Sequence, residues 1–151
     1  MKRRTFITSL GAVGGIGAVA VGTNAVFATS STVNGTVAAK SITGRGGAES
    51  HAVLAHEGTL NVDDAEYRDA FSDWQDITVD DSLARQFETD YETVHYNLHV
   101  HHETPNKKQS MTAGESLAYR ADRPVFNNVQ IGDAVQFEPV GADVPRIDSL
   151  K

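Results

Sequence analysis

Between residues 93 and 102 the chain alternates. Val94, Tyr96, Leu98 and Val100 are apolar, and Thr93, His95, Asn97, His99 and His101 stand between them. A period of two over that length predicts a β-strand with one buried and one polar face. Residues 32–42 are rich in β-branched side chains and predict another strand, followed by a turn at Gly44-Arg45-Gly46-Gly47. A strand pattern around Val53 and Leu54 occupies residues 50–62 and is broken by Gly58. Residues 115–121, 125–131 and 134–140 predict further strands, with a turn at Gly132-Asp133. Residues 141–151 contain Gly141 and Pro145, show no periodicity, and predict a loose tail.

The period changes in the middle of the chain. Asp63-Asp64-Ala65-Glu66 reads as a helix N-terminus with a capping-box glutamate. Tyr67, Ala70, Phe71 and Trp74 then fall on one helical face. Asp80-Asp81-Ser82 opens a second short helix in which Leu83, Phe87 and Tyr91 recur every four residues. The order β-β, α-α, then several β predicts an α+β, β-rich fold. It is expected to be an antiparallel sheet or small sandwich with a short helical insert over about residues 63–91. At 151 residues there is room for one folded domain.

Charge narrows the set of partners. The chain carries 13 Lys+Arg against 20 Asp+Glu, net -7, so a nucleic-acid-binding role is not expected. With no cysteine, disulfides, thiolate metal sites and CxxC redox chemistry are excluded. Asp63-Asp64 and Asp80-Asp81 lack the spacing of a calcium loop and read as helix caps. No GxSxG, P-loop or dinucleotide fingerprint stands beyond residue 28, and His102-Glu103 is not followed by the second histidine of HExxH. The enzyme question stays open on these grounds, leaning towards a non-catalytic role.

Four of the six histidines lie in the alternating strand. His95, His99, His101 and Glu103 share a strand face, so they are candidate ligands for Zn, Cu, Ni or Fe, while His102 joins the apolar side. His51 or His56 is a candidate additional ligand from a neighbouring strand. On the other reading, these imidazoles only supply the polar face that a half-buried strand needs. Asn34-Gly35-Thr36 fits the N-x-T acceptor for glycosylation, or reads as an Asn-Gly turn.

The first 28 residues have a basic start, an apolar glycine-rich middle and a small-residue end at Val26-Phe27-Ala28. Arg3-Arg4-Thr5-Phe6-Ile7 resembles the core of twin-arginine (Tat) signal peptides, with Arg3, Arg4 and Phe6 carrying the likeness. The resemblance implies passage through the Tat translocase in a folded state, cleavage after Ala28, and a mature domain over residues 29–151. It implies a secreted or cell-surface location, with membrane contact only through the signal if uncleaved. Beyond residue 28 there are ten basic and twenty acidic residues, and only four lysines. That acid-rich, lysine-poor balance resembles exported proteins of halophilic archaea, whose carboxylates hold water when salt screens their repulsion. The expected role is an exported, acidic, non-catalytic surface, structural or binding domain. A metal-binding protein or small metalloenzyme is the alternative.

Overall fold

Valines and isoleucine draw residues 33–46 into one long strand, β1 (Val33–Gly46). In this computed structural model, which describes residues 31–46 and 48–151 without the side chains of 48–52, β1 is the middle of a seven-stranded sheet. β2 (Ala48–His56) returns antiparallel along its second half, and β3 (Thr59–Val62) follows through a turn at Gly58, whose φ of 74° suits glycine. β4 (Thr93–His102) covers the opposite edge of β1, and β5 (Ser116–Ala121) lies antiparallel beside β4. β6 (Ala134–Phe137) pairs with the first residues of β1, on the edge that β2 leaves free. β7 (Arg146–Ile147) closes the far side, parallel to β5. The sheet is therefore mixed and open, and the fold is α+β and β-rich.

One extra residue decides which side chains of β1 enter the core. Val37 pairs with Val100 of β4 and Ala39 with His99, so Ala38 has no partner and forms a β-bulge. Before it, Val33 and Val37 face the core; after it, Lys40 and Ile42 do. The bulge thus carries a lysine into the interior, fully buried. Its ammonium donates to the carbonyls of Ile77, Phe126 and Val129 at 2.6–2.7 Å and lies 4.0 Å above the Phe126 ring. Three carbonyls match the three N–H donors of a charged lysine. Burial nevertheless pushes the Lys40 pKa down to about 7, against the opposing charges of Asp76 and Asp133.

The helical segments cover only this core face. Asp64 and Asp80 act as predicted caps, accepting from Glu66 N and Leu83 N. The second cap starts α1 (Asp81–Asp90), in which Phe87 is buried and stacks 4.4 Å from the Tyr67 ring. Tyr91 lies against Gly44, where a Cβ would sit 2.4 Å from the aromatic ring. Only glycine allows that approach.

Several expectations need correction. The first helix is a single 3₁₀ turn, Ala65–Ala70; Tyr67 and Phe71 are buried but Ala70 is exposed. After it, residues 71–80 form no helix, only a turn at Trp74-Gln75, and Ile77 and Val79 enter the core. Gly44 to Gly46 continue β1 rather than turning, because β2 pairs with all three and β4 pairs with Gly44 and Arg45 on the other edge. Asn34-Gly35 is likewise in-strand, and Asn34 is only partly exposed opposite Gln136. Residues 123–128 form a helix, α2 (Arg123–Asn128), instead of a strand. Pro124 fits a helix's first turn, and Asn127 exchanges hydrogen bonds with the backbone of Val79, tying α2 to the 71–80 segment. The strand expected over 134–140 ends at Phe137. Finally, the last ten residues are docked: Ile147 is 1 % exposed, and Leu150 bridges to Phe137. The Tat-type features at Arg3, Arg4, Phe6 and Ala28 lie outside the described residues.

Candidate functional site: the open face and its arginine cleft

Strand pairing sorts the polar side chains onto one face. His99 stands between Ala39 of β1 and Ala118 of β5, with His56 of β2 on the far side of Ala39. Asn97 stands between Ser41 and Arg120, and His101 between Thr36 and Ser116. Cross-strand partners share a face, so one surface carries His56, His95, His99 and His101 with serines, threonines, Asn97 and Arg120. The helical layer lies on the opposite face, so this one is open. The register places His95, His99 and His101 on this common face; Glu103 follows the end of β4 and has no place in the register, and His102 falls on the core side and is buried.

The face does not gather these residues into one centre. His99 Nε2 lies 3.1 Å from Ser41 Oγ, and His101 Nδ1 lies 3.2 Å from Ser116 Oγ. Glu103 is drawn to the sheet end, where it accepts from Thr36 Oγ1. Among the described residues no three His, Asp or Glu side chains converge as a metal-ligand set. The side chain of His51 lies outside the description. The two Ser–His pairs have the spacing of a nucleophile and its base, but Ser41 is 1 % exposed and out of reach of a substrate.

A concave site lies at one end of this face. Tyr96–Ala121 is the last pair between β4 and β5, after which the chain turns at Asp122 into α2. Val94 and His95 therefore extend past β5, and a cleft of about 330 Å³ opens beside them. Three arginines line it: Arg120, Arg123 and Arg146, together with Asp122 and Asp148. Arg123 is held by Asp81 at 2.5 Å and by the Val79 carbonyl at 3.1 Å. That bond holds the Asp81 carboxyl below its usual range. Burial raises the Tyr96 phenol, and the nearby Arg123 charge works against the rise. Arg146 reaches only its own neighbour Asp148, at 3.3 Å, with both side chains about half exposed. Arg120 and Arg146 are directly paired across β5 and β7. Neither those arginines nor Lys40 was singled out in the sequence. Alternation in β5 would have put Arg120 on the histidine face, but Arg146 joins it only through a parallel pairing with the chain end.

On the core side, Tyr119 Oη lies 2.9 Å from His102 Nε2 and accepts from Asn106 Nδ2 at 2.6 Å. His102 Nδ1 is buried without a partner. Burial lowers the His102 pKa, opposed by the charge of Glu115. All three residues are sealed from solvent, so this network ties the 106–111 loop to the sheet and does not form a reaction centre.

No protein-family model, curated protein or solved structure matches the chain. Among the described residues no helix is long and apolar enough to cross a membrane.

Proposed function

We propose that the chain is an exported binding domain that presents its open sheet face to an anionic partner. The observation that carries this reading is the division of charge. Residues 57–92, which form the covering layer and its connections, hold twelve of the twenty acidic residues and only two arginines. The strands place Arg45, Arg120, Arg146 and four histidines on the open face by register, against one acidic position, Glu49 opposite Arg45. Its polar character also separates it from a subunit interface of the apolar kind; the exposed large hydrophobics, Val140 and Val144, lie in the 138–145 connection. A basic surface on an acidic protein attracts an anion to one side and repels it from the other. Export is supported by the Tat-like start of the chain, and the acidic remainder fits a salty exterior.

The test has two parts. Protein recovered from outside the cells is expected to begin at Thr29; recovery only from the cytoplasm overturns export. The full chain is expected to be retained on an acidic polysaccharide resin and not on its neutral counterpart. Retention should be lost in an Arg45→Gln/Arg120→Gln/Arg146→Gln variant and kept in Glu88→Gln/Glu92→Gln. Equal retention of both variants overturns the binding face.

A further inference from the structure

The cleft at the end of the open face has features that general basic character does not explain. Arg120 and Arg146 are cross-strand neighbours on one face, an arrangement of like charges that costs stability when nothing lies between them. Arg120 makes no ion pair or side-chain hydrogen bond among the described residues. Among the described residues the Arg146 guanidinium is engaged by the exposed Asp148 alone, a weak surface contact, so it is readily redirected. Arg123 is fixed in place by Asp81 and the Val79 carbonyl. One held guanidinium and two available ones therefore converge on a single concavity.

We propose that this cleft binds the phosphate or sulfate group of a small hydroxylated ligand, with Arg120 and Arg146 as its forked donors. The proposal rests on the anionic-partner reading and names its ligand class. A carboxylate offers two oxygens in one plane and is satisfied by one guanidinium fork. Two forks arriving from adjacent strands suit a tetrahedral group with three or more acceptor oxygens. His95 lines the same cleft and adds a ring nitrogen as donor. Asp122 and Asp148 are its remaining polar lining, and carboxylates there accept from ligand hydroxyls. The volume of about 330 Å³ lies at the small end of the range for ligand sites and exceeds what a bare oxyanion fills.

The experiment is calorimetric titration of the full chain with sodium phosphate, sodium sulfate, glucose 6-phosphate and sodium acetate, at constant ionic strength set by chloride. Glucose 6-phosphate is expected to bind at least threefold more tightly than inorganic phosphate, and acetate no better than chloride. Arg120→Gln and Arg120→Lys should each weaken glucose 6-phosphate at least tenfold, because lysine keeps the charge but loses the fork. Both variants change an open-face side chain, and their unfolding midpoints check that the fold is intact. Acetate binding as well as phosphate overturns the proposal, as does parental affinity in Arg120→Gln or retained affinity in Arg120→Lys. If Arg120-dependent phosphate binding is found without retention on acidic polysaccharide, the cleft stands and the wider binding face fails. Retention without phosphate binding has the opposite meaning.

Discussion

On the covered side of the sheet, Leu98, Val100 and Tyr119 are sealed beneath the helical layer; on the open side, their chain neighbours His99, His101 and Ala118 meet water. The same two strands, β4 and β5, thus serve two environments one residue apart. Stability resides in the first. The covered face combines aromatic stacking, a buried lysine and a glycine pressed against a tyrosine, and each is intolerant of change. The open face holds hydroxyls and imidazoles linked by side-chain hydrogen bonds, such as His99 with Ser41 and His101 with Ser116, rather than by packing in the core.

The sharpest way to break this contrast is Lys40→Ala. It leaves the carbonyls of Ile77, Phe126 and Val129 without their buried donor, and the expected loss is about 3–5 kcal/mol in chemical denaturation. A loss below about 1 kcal/mol would mean that water replaces the ammonium and that the covered face is not sealed.

The next effect is a pH dependence. The Lys40 pKa is about 7 in the folded chain and 10.5 in its unfolded reference, so between those values the unfolded chain binds more protons. Stability should therefore rise from pH 7 towards pH 10, by about 2–4 kcal/mol at most. Tyr67, Tyr96 and Tyr119 are all raised, chiefly by burial, so above their ordinary range near pH 10 the unfolded chain loses protons first and stability falls again. Denaturation midpoints measured across this range should peak near pH 10, and Lys40→Met should flatten the rise. An unchanged rise in that variant would assign it to other groups.

Gly44→Ala tests the close approach to Tyr91 and should cost about 1–3 kcal/mol by overpacking. Part of that loss should be recovered when Tyr91→Ala is added, and strict additivity of the two would show that the ring moves aside. The smallest effect is expected on the other side of the sheet. His101→Ala removes an exposed side chain and one hydrogen bond to Ser116, and the unfolding free energy should change by no more than about 0.5 kcal/mol. A loss above about 1 kcal/mol would show that the open face also carries stability.

How much of this was legible in the sequence depended on the range of the interaction. The strand at residues 93–102, the caps at Asp64 and Asp80, and the face shared by His95, His99 and His101 follow from spacing alone. The local signals that misled were those overridden by distant partners. Glycines 44 and 46 look like a turn until β2 pairs with both and β4 pairs with Gly44 from the other side. Residues 125–131 alternate like a strand, but Pro124 and the Asn127–Val79 hydrogen bonds settle a helix there. The tail has no period, since it is held by two parallel residues, Arg146 and Ile147, and by the Leu150 bridge. The candidate site suffered most, because its arginines come from β5, α2 and β7 and meet only after folding. Lys40 was hidden for a different reason: nothing in the residue sequence marks where a bulge reverses the alternation.

The position of β1 also sets a schedule. Among the described strands it is the first to leave the ribosome, yet its neighbours arrive at very different times. β2 follows at once, β4 only after residue 102, and β6 not until residue 137. Such distant pairings close slowly, because the intervening chain must be ordered before any contact rewards it. A nascent chain stopped at residue 130 would already hold most of the covered core but would leave the first residues of β1 with one bare edge. The sheet therefore cannot be completed until residues 134–147 have been made.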